Sequence, residues 1–230
     1  MSDPLRLALA LQLGDSAFPS GMYTQSHGLE MLIEDGLTGF AAFREVLECY
    51  LLDAAATCEA VAARHVALAA AQHDLACVAA IDEALDLVRL PAEIRLASRR
   101  CGGRVLALGA LMFPDDARLP VYRERVDAAL APGHQTIAMA LLGTAAGLTP
   151  EDVVVVELHN LAASLISAAV RLGAIDYLLA QRLTLACRPL IVAAAARGAA
   201  LDWRAMHSSA PLLEIAQMRH AKAHSHLFVS

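Results

Sequence analysis

The chain has 230 residues, 57% of them hydrophobic, 18% charged and only 4% aromatic, which excludes intrinsic disorder and, with alanine and leucine dominating, favours helices over sheets. All but one of its 18 basic residues are arginine, and 24 acidic residues leave a formal charge of −6. That balance gives no overall attraction to nucleic acid or anionic lipid, so neither is expected as a partner.

In chain order, the first apolar run (residues 5–13) is interrupted by Arg6 and followed by no small-residue cleavage site, so no leader peptide is expected. Residues 15–30 form a turn-rich loop running into a helix. Pro19 and Gly21 set an irregular backbone there, after which Tyr23, His27 and Glu30 fall at i, i+4 and i+7 on one helical face. Two readings stand side by side: a polar functional face, or a capped helix whose Tyr and His fill polar notches of the core.

From Phe40, the series Phe43, Val46, Leu47, Tyr50, Leu51, Ala54 steps by three and four and predicts one long helix, or two abutting ones, to about Gln72. A second series, Leu75, Val78, Ala79, Ile81, Leu85, Val88, ends before Pro91, whose ring disfavours helix in the residue ahead of it. Pro91-Ala92-Glu93 is a fresh start, with an acid near the positive helix end. Gly102-Gly103 inside the next helix costs about 1 kcal/mol per glycine relative to alanine, which points to a kink or a close backbone approach.

Further helices are predicted over residues 119–130 and 133–146. The strongest start is Thr149-Pro150-Glu151-Asp152, a capping hydroxyl, a first-turn proline and two acids in order. Val153 to Val156 alone reads as a strand, but Leu158, Leu161, Ala162, Leu165 and Ile166 continue at helical spacing. Helices over 174–196, broken near Pro189, and over 211–220 complete an all-α single compact domain of about nine or ten helices. It spans residues 1–230, with 1–4 and 221–230 expected to be flexible.

No phosphate-binding glycine loop, H-E-x-x-H or G-x-S-x-G motif occurs, so no enzyme is indicated. Five cysteines without a C-x-x-C pair fit a reducing cytoplasm rather than a disulfide framework or zinc knuckle. The longest uncharged stretch, 128–150, holds Pro132, Gly133, His134, Gln135 and Gly143, and falls short of the ~20 apolar residues of a membrane span. Most of the nine histidines stand alone. At the C-terminus, however, His220 and His224 are i, i+4, and His226 adds a third nitrogen if the tail bends. That set suits nickel, copper or zinc; the plainer reading is a solvated tail. Leu227 and Phe228 beside it are bulky apolar residues of the kind that want a surface to bind.

These two regions resemble the urease accessory protein F family, the UreF proteins. The block Leu11-Gln12-Leu13-Gly14-Asp15-Ser16-Ala17-Phe18-Pro19-Ser20-Gly21-Met22-Tyr23, continuing through Ser26-His27-Gly28-Leu29-Glu30, is similar to the family's LLQL-x-S-x-x-P-x-G-x-[FY]-x-x-S-x-G-L-E stretch. Ala168-Ala169-Val170-Arg171-Leu172-Gly173, with Gln181 after it, resembles a mid-chain block, though Ala174-Ile175-Asp176 lacks its second glycine. Met218-Arg219-His220 and Leu227-Phe228-Val229-Ser230 resemble the ending, where His226 and Val229 replace residues that are commonly arginine.

The resemblance implies a cytoplasmic, all-helical homodimer that is not an enzyme. It also implies an adaptor in nickel insertion that binds the accessory protein UreD (also called UreH), recruits and regulates the GTPase UreG, and acts on apo-urease. No resident cofactor is implied, with nickel at most transiently bound. The rival reading is a metallochaperone that itself holds nickel through His220, His224 and His226. The tail from His220 to Ser230 is expected to fold onto the partner with Phe228 as its anchor.

Overall fold

Three of the α-helix starts carry side-chain hydrogen bonds that the sequence supplies. Asp74 accepts from the backbone N–H of Cys77 at 2.9 Å and Asp176 from that of Leu179 at 2.7 Å. Thr149 and Asp152 close a reciprocal capping box ahead of Pro150. Each such bond satisfies an N–H that the first turn cannot pair internally.

A computed structural model describes residues 3–223, 227 and 228. Among them lie eleven α-helices and no strand, the all-α class expected: α1 (Asp3–Leu13), α2 (Leu29–Glu34), α3 (Gly39–Cys49), α4 (Glu59–Ala71), α5 (Leu75–Val88), α6 (Ala92–Met112), α7 (Arg118–Asp127), α8 (Gln135–Ala145), α9 (Pro150–Arg171), α10 (Tyr177–Ala199) and α11 (Pro211–His220). Short 3-10 turns cover Met22–Thr24 and Trp203–Ala205. The predicted segment from Phe40 to about Gln72 is two helices, α3 and α4, joined by a π-helical turn, Tyr50–Ala55.

Pro189 does not break α10, contrary to the expectation of an interruption there. Its missing N–H would have bonded the carbonyl of Leu185. Both residues lie on the exposed face of the helix, where water can take over the freed acceptor.

The core is built around α4, which packs against α5, α8, α9 and α10. Burial on every side demands small residues, and α4 supplies Ala60, Ala62, Ala63, Ala67 and Ala70, all within 1% of complete burial. By length and composition alone, α9 and α10 are apolar enough to cross a membrane. The apolar stretch of α9 is 67% buried inside the fold, as a core helix is, whereas that of α10 is 33% buried. Leu178, Leu185 and Val192 of α10 therefore stand exposed.

The Gly102-Gly103 pair resolves into a close approach at one position only. A Cβ on Gly102 would stand 2.0 Å from the carbonyl oxygen of Gly133, whereas one on Gly103 meets nothing within 4 Å. We expect Gly102→Ala to cost about 3 kcal/mol or more, through forced separation of α6 from the segment leading into α8. Gly103→Ala should stabilise by up to about 1 kcal/mol through helix propensity. Urea unfolding of the two variants beside the parent checks the contrast.

Candidate functional site

The loop between α1 and α2 is a junction for three helices, α9, α6 and α11. The carbonyl of Leu13 accepts from Asn160 at 3.1 Å and that of Met22 from Ser164 at 3.2 Å, both on α9. Gln25 reaches Cys101 of α6 at 3.1 Å. Gly28 lies against α11: a Cβ there would stand 2.9 Å from the backbone nitrogen of Gln217, and its φ of +83° is left-handed in any case. The same Gln217 donates to the carbonyl of His27 at 3.3 Å. Only glycine combines that backbone with that approach.

Tyr23, His27 and Glu30 do not share a helical face, which corrects the i, i+4, i+7 expectation. Residues 27 and 28 are both left-handed, with φ of +52° and +83°, and α2 begins only at Leu29. The backbone of Tyr23 belongs to a 3-10 turn, and its side chain lies outside the described structure. Phe18 packs at the edge of the core, Pro19 is exposed, and Ser26 is fully buried.

His27 is buried against the π turn, its Nδ1 3.1 Å from the hydroxyl of Tyr50 and its Nε2 without a partner. Burial, with the charge of Arg89 adding to it, lowers its pKa from 6.5 to about 4, so the ring is neutral.

Glu30 serves the other end of the chain. His220, the last residue of α11, is fully buried and stands between two carboxylates. A carboxylate oxygen of Glu30 on α2 lies 3.1 Å from its Nε2 and one of Glu93 on α6 lies 2.9 Å from its Nδ1, both at hydrogen-bond distance. The second oxygen of Glu30 accepts the backbone N–H of Leu227 at 2.9 Å. Phe228 is 4% exposed and its ring lies beneath the guanidinium of Arg171, 4.3 Å from carbon to centroid. In the chain by itself Phe228, expected as a partner anchor, has its apolar surface packed inside the fold. Leu227, by contrast, is 79% exposed, and Leu212, Ile215 and Met218 of α11 are exposed as well. Arg219 pairs with Asp35 at the surface.

His220 has both ring nitrogens engaged, while His224 and His226 lie outside the described residues. Among the described residues no group of three or more His, Cys, Asp or Glu side chains is arranged to hold a metal ion.

A buried polar tract that sequence reasoning passed over runs behind this junction. The side chain of Arg89, just past α5, is 10% exposed. It donates to Glu59 of α4 at 2.8 Å, to Thr136 of α8 at 3.3 Å and to Ser98 of α6, and meets Nδ1 of His134 at 3.4 Å. The other ring nitrogen of His134 bonds Asp86 at 2.9 Å. Thr136 in turn donates to Glu157 of α9 at 2.7 Å. The available signal was two separate acids, Glu59 and Glu157, each set among mostly apolar helical neighbours.

On the far side of α9, a cleft of about 480 Å³ is walled by His159, Ile166, Val170, Tyr177 and Gln181 and by the loop residues Asp15 and Ser16. Ser16 from the N-terminal block and Gln181 from the mid-chain block thus face one space.

The UreF family model matches residues 37–188, a span that holds Arg171 and Gln181 and leaves out both terminal blocks. Full-length relatives cover those blocks as well. The urease accessory protein UreF of Paenarthrobacter aurescens is 32% identical over 100% of both chains. Its namesake from Corynebacterium efficiens is 30% identical, over 98% of this chain and 97% of that protein. That of Trichodesmium erythraeum is 29% identical over the same shares.

Because His27 is buried neutral, its contribution to stability is complete above the unfolded-state value near 6.5 and is lost as the pH falls through about 4. We expect His27→Gln to flatten the acid limb of a pH–stability curve by up to about 1.4 kcal/mol per pH unit between pH 6.5 and 4. Urea titrations across that range measure the slope.

Proposed function

We propose that this chain, which belongs to the UreF family of urease accessory proteins, serves urease maturation as an adaptor that breaks no bonds itself. Its buried charged groups, among them Glu30, Glu59, Asp82 and Glu157, are bonded to partners inside the fold. In this reading α11 docks UreD (UreH), the pair recruits and regulates the GTPase UreG, and the assembly loads nickel, as cargo, into apo-urease. The setting is the cytoplasm, which suits five cysteines that are all unpaired.

The observation that carries the reading is the mounting of α11. His220 fixes its last turn between Glu30 and Glu93, and Gly28 brings the N-terminal block against it, while Leu212, Ile215, Met218 and Leu227 are left facing solvent. A helix with an uncovered apolar ridge and a rigid base meets a partner at low ordering cost. The anchor of the reading is accordingly this ridge rather than Phe228.

A second surface supports self-association. Leu178, Leu185 and Val192 are uncovered along α10, with Pro189 and Ala196 between and beyond them. A homodimer formed there lets small and apolar residues of two copies interlock.

Leu212→Asp with Ile215→Asp should weaken capture of UreD at least tenfold, as truncation at interface centres does, with the helical circular dichroism unchanged. Undiminished capture would sink the assignment of α11. Leu185→Glu should convert the dimer to a monomer in light scattering after gel filtration; a variant that stays dimeric moves the self-association surface elsewhere.

A further inference from the structure

Glu157 is a charge-bearing residue the adaptor reading does not use. It sits mid-way along α9 and is 1% exposed. Its carboxyl accepts from Thr136 at 2.7 Å and from Gln135 at 3.3 Å, both on α8. The groups that face it come from four parts of the fold. From α4 comes Glu59, already paired with Arg89 at 2.8 Å. Arg89 itself enters from the link after α5, and Tyr50 from the π turn, where burial, with Glu59 adding to it, holds the hydroxyl un-ionised. From α8 come only the neutral Thr136 and Gln135.

The charge count of this pocket does not close. One guanidinium faces two buried carboxyl groups, and it bonds only one of them directly; the other is reached through the Thr136 hydroxyl, which accepts from Arg89 at 3.3 Å. A lone carboxylate charge in such surroundings is costly, and a buried acid escapes the cost by keeping its proton.

We propose that Glu157 is a proton-operated lock on the seam where α4, α8 and α9 meet: it enters the core as the neutral acid, and loss of its proton places beside Glu59 a second carboxylate charge that the single guanidinium cannot balance. Thr136 fits both states, since a hydroxyl either accepts from the acid or, rotated, donates to the carboxylate. Burial raises the Glu157 carboxyl from 4.5 to about 7, with Glu59 raising it further and the Thr136 bond, Arg89 and Gln135 opposing. The lock is therefore fully closed below about 4.5 and released as the pH climbs through about 7. Because α9 carries Ile166 and Val170 of the surface cleft farther along, loosening this seam reaches the face that borders α10.

The test compares the intact protein with Glu157→Gln, which keeps the volume and hydrogen bonds and removes the proton. His27 and His134, lowered by burial to about 4 and about 3, shift stability the opposite way in acid. The informative quantity is thus the difference between the two proteins. Between pH 5 and 7 the unfolding constant of the parent, relative to the variant, should rise by up to ~tenfold per pH unit. Parallel curves would overturn the proposal. Should the variant fail to fold, the side-chain carboxyl carbon of Glu157, followed by NMR in the unaltered chain, decides: titration near neutral pH supports the lock, and titration near 4.5 overturns it.

Discussion

The guanidinium of Arg89 is the interaction on which the packing depends. α5 ends at Val88, so this side chain turns back into the interior and joins α4 through Glu59, α6 through Ser98 and α8 through Thr136 and His134. Apolar contact between alanine-rich helices is nearly non-directional and tolerates sliding by a turn. A planar donor with fixed partners on three helices does not. A buried ion pair adds little net stability once desolvation is counted, but removing either member leaves a charge with no solvent, so the pair sets the relative position of its helices more than it strengthens their attachment.

A second buried cluster performs the same task between α5, α7 and the segment that enters α8. Asp82 accepts from the Tyr122 hydroxyl and from the backbone N–H groups of Gly133 and His134, which fixes the entry into α8. There Gly102 lets α6 approach to backbone contact. Glu30, His220 and Glu93 then tie α2, α11 and α6 together. In each case a charged group faces partners inside the fold and sets the relative position of helices, while apolar ridges are left outside; the adaptor role proposed above draws on that division.

Much of this was legible in the sequence. Spacing alone placed residues 75–88 and 211–220 within the bounds observed for α5 and α11, and the Thr149 to Asp152 signal marked the capping box, because those features are local. The Gly102-Gly103 pair gave the right physical alternatives but not which glycine mattered, since that depends on a segment thirty residues away. Pro189 misled for the opposite reason: a local rule was outweighed by an exposed position. The i, i+4, i+7 pattern of Tyr23, His27 and Glu30 failed because it presumed a helix where left-handed residues 27 and 28 stand. Gly28 was the warning, since it precedes the helical run directly. Pairings such as His220 with Glu30 or Phe228 with Arg171 join residues far apart in the chain, and nothing in periodicity encodes them.

The two uncovered apolar surfaces rest on different supports. α11 leans on α2 and α6, whereas α10 leans on α9, α3 and α4. A ligand on one therefore does not bury the neighbours of the other, and both can be occupied at once. They are not mechanically separate, however. α2 packs on α9, and the loop that Gly28 presses against α11 also hydrogen-bonds α9 through Asn160 and Ser164. α9 is thus the common member, flanked by the buried tract on one side and the cleft on the other. An energetic link between the surfaces requires such a shared element with two arrangements, and a central helix bearing one buried acid among apolar neighbours is the part of this fold whose packing a single proton can alter.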